Sequence, residues 1–416
     1  MENRKGNWHG KKQIQMMIYL GIVLLIGGSL ISGCTNTILP AIADKYQWDV
    51  GALRVMSGVA IMFCVGGTFV FGMVSKRKGP KFVVVLTLIL TAAVAVVYGS
   101  ASNYYLFVAC ILANGFLGGG YFQVGFSALA ANWWPTKKGI VLGYVTCGIV
   151  LNDVLWQPFI PLAFQKIGVG ATLNIVAVFI AIVAVIGVFF LKDTPEAAGE
   201  YPDGDPAFAS TAKSVVDEIA VYKSPFTPKK LLTSPTTWAI GISMGCMYGA
   251  GMTFVASVVP RILSLGYDYS FASAVLIVAG LAGLAGSILY GILDQKIGTK
   301  NTCVVYAALC ILITICCLFH GISVWFIWLS AIFFFASNGA MGNLIPSIVA
   351  TKYGRWDYSA AFAVIGAMSS FGSALGVLCT GLFTNYNVMY LMDIGLFIAA
   401  LLILLKLNGT LIGRPN

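Results

Sequence analysis

Twelve apolar stretches of roughly twenty residues run through the 416-residue chain, and few folds can accommodate them. An α-helix rises about 1.5 Å per residue, so each stretch can cross about 30 Å of hydrocarbon. Because backbone groups in lipid must satisfy their hydrogen bonds internally, we expect each stretch to form a transmembrane helix. The stretches begin near Gln15, Val50, Lys81, Tyr104, Gly139, Ala171, Thr236, Phe271, Thr302, Ser323, Tyr358 and Val388.

The composition excludes the main alternatives. Hydrophobic residues make up 59% of the chain and charged residues 10%, which is too little charge for a soluble surface. A transmembrane β-barrel would show alternating segments of about ten residues, whereas 82–98 and 173–191 are continuously apolar. The first stretch lacks a small-residue cleavage site followed by polar sequence, so we expect it to be retained. The sequence therefore predicts an all-α membrane protein with twelve transmembrane helices.

Lysine and arginine are distributed unevenly over the two sides of this arrangement. Of the 25 cations, 21 lie on one side, and only Lys45, Arg54, Lys166 and Arg261 lie towards the other. The positive-inside rule then predicts that both termini face the cytoplasm. We expect a multi-pass protein of the cell inner (plasma) membrane that contacts the lipid bilayer. The net charge of +10 is attributed to topology and not to nucleic-acid binding.

The composition changes abruptly between residues 192 and 234. This stretch contains seven of the fifteen acidic residues and several prolines, as expected of a cytoplasmic linker that serves as a tether. The sequence therefore predicts an N-terminal six-helix bundle with a cytoplasmic tail (1–191), a linker (192–234) and a C-terminal six-helix bundle (235–416). Two pseudo-symmetric bundles of this kind hold a solute cavity between them near the midplane.

Equivalent turns follow the second helix of each half. The first reads Gly72-Met-Val-Ser-Lys-Arg-Lys-Gly79-Pro-Lys81 and the second Gly291-Ile-Leu-Asp-Gln-Lys-Ile-Gly298-Thr-Lys300, which indicates an internal repeat. They resemble the G-x-x-x-D-R-x-G-R-K loop of the major facilitator superfamily. Lys76 occupies the aspartate position in the first copy, and Asp294 lies one place early in the second.

A second segment resembles one branch of that superfamily. Ala130-Ala-Asn-Trp-Trp-Pro-Thr-Lys-Lys-Gly139 is similar to the A-N-x-W-F-P-x-K/R-R-G segment of the oxalate/formate antiporter and monocarboxylate transporter branch. Ser32-Gly33, Pro346 and Tyr353-Gly354 add to the likeness. The resemblance implies a major facilitator fold that transports a small solute by alternating access.

Asp153 is the leading candidate for proton coupling. It lies about two-thirds of the way through the fifth segment, within the polar island 151–158. Ionisable residues in a membrane are costly and are therefore functional candidates. A carboxyl in a low-dielectric cavity favours its protonated form. The alternative is a structural hydrogen bond to nearby backbone.

Three other charged residues are candidates for the site. Arg54 and Arg261 lie at outer ends of helices, where either can attract an anion or simply occupy the interface. Asp393 lies in the twelfth segment, which in the superfamily generally packs outside the cavity, so we expect a structural role. Of the three, Arg54 is retained as a binding residue.

The expected cargo follows from charges that are absent from the sequence. Dicarboxylate-binding relatives of the branch use an arginine in the eighth helix and a lysine in the eleventh, and this sequence has neither. A dianion would therefore lack compensation for its desolvation, whereas a monoanion, a neutralised acid or a zwitterion would lose less.

The remaining binding candidates are polar or aromatic residues of helices that face the cavity in this fold, together with one aromatic residue of the fifth segment. They are Thr35, Asn36, Tyr121, Gln123, Tyr248, Thr253, Asn338, Asn343 and Trp156. An amide can donate to and accept from a carboxylate or hydroxyl, and the aromatic rings can stack. Ordinary helix packing is the alternative for each of them.

No motif for catalysis, a cofactor or a metal appears in the sequence. There is no Walker lysine, H-E-x-x-H pair or G-x-S-x-G elbow, and the cysteines lie mostly within apolar segments without paired spacing. We expect a monomeric secondary transporter, not an enzyme, that moves a small organic anion by proton symport or anion exchange. The alternatives are proton-coupled efflux of cationic, zwitterionic or lipophilic compounds, and a receptor that binds solute without transport.

Overall fold

The computed structural model describes residues 10–27, 35–210, 222–380, 383 and 385–414. The regular elements within these ranges are helices. The helices are α1 Lys11–Gly27, α2 Thr35–Tyr46, α3 Val50–Lys78, α4 Pro80–Ser100, α5 Tyr104–Gly118, α6 Phe126–Trp133, α7 Lys138–Ile167, α8 Val169–Phe190, α9 Pro228–Leu232, α10 Pro235–Ser264, α11 Tyr269–Ile297, α12 Thr299–Cys317, α13 Val324–Asn338, α14 Met341–Cys379 and α15 Tyr386–Lys406. A π-helical turn, Gly119–Gly125, joins α5 to α6.

The helices confirm the predicted transmembrane architecture. In the described residues, nine helical stretches are long and apolar enough to cross a membrane. One of them, Val324–Cys379, is 56 residues long and contains two crossings, because Gly354 reverses the chain with φ 66° and ψ 178°. Helix α1 and the apolar first part of α7, Lys138–Asn152, lie at the positions of the predicted first and fifth crossings. Eleven of the predicted starts lie within four residues of an observed helix start, and the remaining one, Tyr358, lies four residues after the Gly354 turn.

The internal repeat is visible in backbone geometry. Gly79 separates α3 from α4 with φ 85° and ψ 155°, and Gly298 separates α11 from α12 with φ 82° and ψ 153°. Only glycine adopts a positive φ with extended ψ at little cost, so both turns require it. The two predicted glycine-and-cation turns therefore have the same conformation in the two halves.

Two large apolar cores follow the two halves of the chain, and one of them extends across the boundary. The core of the C-terminal half includes Val124, Ala128 and Ala131, which belong to the π-turn and to α6. Of these residues, Ala131 lies in the last turn of α6, from which the chain continues towards α7. The halves thus share a packed core at the end that carries the linker, hereafter the linker end.

The linker is not a plain tether, which corrects the sequence prediction. Asp203 has a φ of 55°, and its carboxylate accepts hydrogen bonds from the Thr136 backbone N–H and hydroxyl and from the Lys137 N–H at 2.9 Å. Burial raises the pKa of Asp203, and these hydrogen bonds oppose the rise. The segment 130–139 thus holds the linker against the N-terminal half.

Candidate functional site

The two halves approach each other closely where α7 crosses α11. A methyl group added at Gly143 would come within 2.8 Å of the Ser287 carbonyl oxygen and 3.1 Å of the Gly291 Cα. One turn further along, the hydroxyls of Thr146 and Ser287 lie 2.6 Å apart. Small residues allow two backbones to pack at this distance. The joint formed by these contacts lies in the first part of α7, next to the linker end.

Asn343 belongs to the same joint. Its amide donates to the Ser287 carbonyl at 3.3 Å, and Ser287 in turn donates to the Gly339 carbonyl at 3.0 Å. The Oδ1 atom of Asn343 is buried and has no hydrogen-bond partner. The structure therefore places this candidate beside the boundary between the halves, with one acceptor unused.

A second set of polar side chains joins the two halves at a different place. The Tyr248 hydroxyl, from α10, lies next to the side chains of Gln123, from the π-turn, and Ser373, from α14. Gln123 precedes α6 and Tyr248 follows the linker, so the contact joins the two halves. We call Gln123, Tyr248 and Ser373 the central polar group. It offers hydrogen-bond donors and acceptors without a formal charge.

Two further candidates are buried, each within its own half of the protein. The Tyr121 side chain is fully buried and lies near Thr91 and Cys64, although its hydroxyl makes no hydrogen bond. Asn338 lies against Gly251 within the C-terminal half, and its Oδ1 atom is also buried without a partner. Neither residue belongs to the central polar group.

The side chains of the remaining candidates lie outside the described part of the structure. They are Thr35, Asn36, Arg54, Asp153 and Trp156. Their helices are described, but the contacts of these side chains are not. Ser32 and Gly33 also lie outside the described residues. The roles assigned to them stay predictions.

Charged groups close the boundary at the linker end. Arg355, just after the Gly354 turn, forms an ion pair with Glu196 of the linker at 2.7 Å, and both side chains are buried. Asp294 accepts a hydrogen bond from Ser347, and a methyl group added at Gly139 of α7 would collide with its carboxylate. These contacts hold the halves together on this side.

Lys76, which occupies the superfamily's loop aspartate position, and Asp193 of the linker also make contacts at this end. Lys76 donates to the carbonyls of Phe226 at 3.0 Å and Ser224 at 3.4 Å in the linker. Asp193 accepts from the Lys81 backbone N–H at 2.7 Å and so caps the start of α4. Burial raises the pKa of Asp193, while the Lys81 N–H and ammonium oppose the rise.

Sequence reasoning did not find a third set of contacts, formed by the C-terminal tail. The Tyr222 hydroxyl donates to Asp357 at 3.0 Å, and the Arg414 backbone N–H donates to the same carboxylate at 3.0 Å. Burial and Asp357 raise the pKa of Tyr222 to about 12. The partners are more than fifty residues apart in sequence, so no local pattern could have indicated them.

The chain matches one family over most of its length. Residues 20–355 match the sequence profile of the Major Facilitator Superfamily, and the chain belongs to this family. The fold agrees with the proton:xylose symporter XylE bound to 6-bromo-6-deoxy-D-glucose, with a TM-score of 0.76, 14% identity and 96% of each chain covered. The protein is therefore a membrane transporter and not an enzyme, as the sequence predicted.

Two curated relatives are similar at low identity. The agnestins efflux protein AgnL12 of Paecilomyces divaricatus is 21% identical over 381 residues, which cover 86% of this chain and 80% of the relative. The oxalate:formate antiporter of Oxalobacter formigenes is 25% identical over 256 residues, covering 59% of this chain and 56% of the relative. The predicted resemblance to the oxalate/formate branch is confirmed.

Proposed function

We propose that this member of the Major Facilitator Superfamily transports a small monocarboxylate-like anion by proton symport or anion exchange. The central polar group carries the proposal, because an amide and two hydroxyls can donate to one carboxylate without supplying fixed positive charge. Among the described side chains, no lysine or arginine lies midway along a membrane-crossing helix. A monoanion suits such a site better than a dianion.

Alternating access follows from the closure at the linker end. The Arg355–Glu196 ion pair and the α7–α11 joint hold this side shut in the described conformation. In the other conformation, these contacts would separate while the central polar group stays accessible to solute. With the predicted topology, the closed side is the cytoplasmic side.

A thermal-shift screen tests substrate class. A ligand that binds only the folded protein at about 100 times its Kd stabilises it by about 2.7 kcal/mol. We expect lactate, pyruvate or benzoate to raise the melting temperature and oxalate to have little effect. Tyr248→Phe should reduce the shift, whereas Tyr105→Phe, on a residue that is 81% exposed, should not. Stabilisation by quaternary amines alone would contradict the proposal.

Proton coupling is assigned to Asp153. Asp153→Asn should abolish uptake driven by a pH gradient and preserve solute exchange across the membrane, because a neutral amide cannot carry the proton. Uptake in proteoliposomes at several pH values measures both activities. If the variant showed the same pH-driven uptake as the wild type, Asp153 would have no coupling role.

Efflux of cationic, zwitterionic or lipophilic compounds is the second candidate. The similarity to the agnestins efflux protein favours it. The two functions differ in which compounds stabilise the protein and in the direction of net flux under an imposed pH gradient.

A further inference from the structure

A buried carboxyl group lies in the C-terminal half, away from the central polar group. Asp393 is the eighth residue of α15 and therefore lies about 10 Å from the helix end opposite the linker. Its side chain is 1% exposed, and neither oxygen has a hydrogen-bond partner. An unpaired carboxylate in this position would be very costly, so the group requires a proton in the described conformation.

The hydroxyl of the neighbouring Thr253 has backbone carbonyls as its hydrogen-bond acceptors. Thr253 lies beside Asp393, and its hydroxyl is within reach of the carbonyls of Gly249 at 3.0 Å and Gly376 at 3.1 Å. A hydroxyl has one proton, which these carbonyls occupy, so Thr253 can only accept from Asp393. An Asp393 carboxylate would therefore gain no proton donor from Thr253.

The groups that face Asp393 come from every element packed around α15. Cys317 at the end of α12 and Tyr390 of α15 lie close enough to Asp393 to interact with its charge, as Thr253 of α10 does. Arg261 of α10 in turn interacts with Cys317, with Tyr390 and with His320 in the turn after α12. Arg261 donates to Asn387 at 3.3 Å at the exposed end of α15. The only cation in this set therefore serves the surface and leaves Asp393 without an ion pair.

Several of these neighbours also carry unused polar atoms. The Tyr390 hydroxyl, the Arg261 Nε and the His320 Nδ1 are buried without partners, and the His320 ring lies 5.9 Å from the Tyr390 ring. Burial and Arg261 lower the pKa of His320 to about 4, so its imidazole is neutral at physiological pH. Its Nε2 atom is engaged with Ser330 at 2.7 Å.

Buried polar atoms without partners are rare in native proteins and commonly mark ordered water. Here they extend from the helix end opposite the linker to the carboxyl of Asp393. We propose that Asp393 is a proton-binding site reached from that end through a water-lined pocket formed by Arg261, His320 and Tyr390. The proton adds to a carboxylate oxygen to give the neutral acid and leaves by the same route.

This site is separate from Asp153 and does not depend on the substrate class proposed above. The probe is N,N′-dicyclohexylcarbodiimide, which modifies protonated carboxyl groups in apolar surroundings. Peptide mass spectrometry of the full chain in lipid nanodiscs gives the modification at each carboxyl across a pH series. Asp268, which is exposed and caps α11, is the matched control.

We expect Asp393 to be modified at neutral pH, where Asp268 is not, and to lose its modification at alkaline pH. His320→Leu replaces a polar side chain of the pocket wall with an apolar one. We expect it to shift the loss of Asp393 modification to higher pH, because a pocket with less water favours the protonated carboxyl. Infrared pH-difference spectra of wild type against Asp393→Asn should show the carbonyl band of a protonated carboxyl. Absence of both the modification and the band would overturn the proposal.

Discussion

The Glu196→Gln substitution tests the closure at the linker end. Glu196 and Arg355 are 3% and 7% exposed, and their charged atoms lie 2.7 Å apart. Removing one partner of a buried ion pair typically costs about 3–5 kcal/mol. Glutamine keeps an oxygen that can accept from Arg355, so we expect a smaller loss of about 2 kcal/mol. At about 1.4 kcal/mol per factor of ten, the open population should rise about 30-fold.

Hydrogen exchange of the protein in nanodiscs measures that population. The informative amides surround Ser359, whose hydroxyl lies 3.1 Å from that of Ser75 across the boundary. Glu200→Gln is the matched control, because Glu200 pairs with Lys12 at 3.5 Å with side chains 32% and 50% exposed. Such a surface pair contributes about 0–1 kcal/mol, so the control should change exchange by at most about fivefold. Equal exchange in both variants would refute the reasoning.

Gly143→Ala and Gly354→Ala should destabilise the protein, although alanine has a higher helix propensity than glycine. Gly143→Ala places its methyl 2.8 Å from the Ser287 carbonyl and should lower the melting temperature of the purified protein, whereas Gly280→Ala has open space and should raise it. Gly354→Ala forces a side chain into φ 66°, a cost of about 1–3 kcal/mol, while Gly395→Ala has normal helical geometry and open space. Thermal unfolding in detergent measures all four, and equal effects within either pair would argue against the packing or backbone cause.

The sequence predicts the membrane architecture well because the bilayer imposes a length on every crossing. Hydrophobic length and composition place eleven predicted starts within four residues of an observed helix start and the remaining one, Tyr358, four residues after the Gly354 turn. The repeat was visible because Gly79 and Gly298 are needed for the same backbone conformation in both halves. The π-turn at Gly119–Gly125 was not predicted, since its glycines also suit ordinary close helix packing.

The site was harder to predict because a linear sequence does not reveal which helix faces meet. Tyr121 and Gln123 are two residues apart and therefore point in nearly opposite directions, so only one of them lies beside Tyr248. The Arg355–Glu196 pair spans 159 residues of sequence. The position of Asp393 in the twelfth segment predicts a structural role, because helix number alone does not reveal that both of its oxygens are buried without partners.

Counterflow in proteoliposomes tests the central claim most directly. Vesicles containing the purified protein are loaded with unlabelled lactate or pyruvate, and uptake of the labelled compound is followed over time. We predict that internal monocarboxylate accelerates uptake, and that Tyr248→Phe weakens the acceleration while Tyr105→Phe does not. Binding without any flux would indicate a receptor, and acceleration by organic cations alone would indicate efflux; either result would contradict the account.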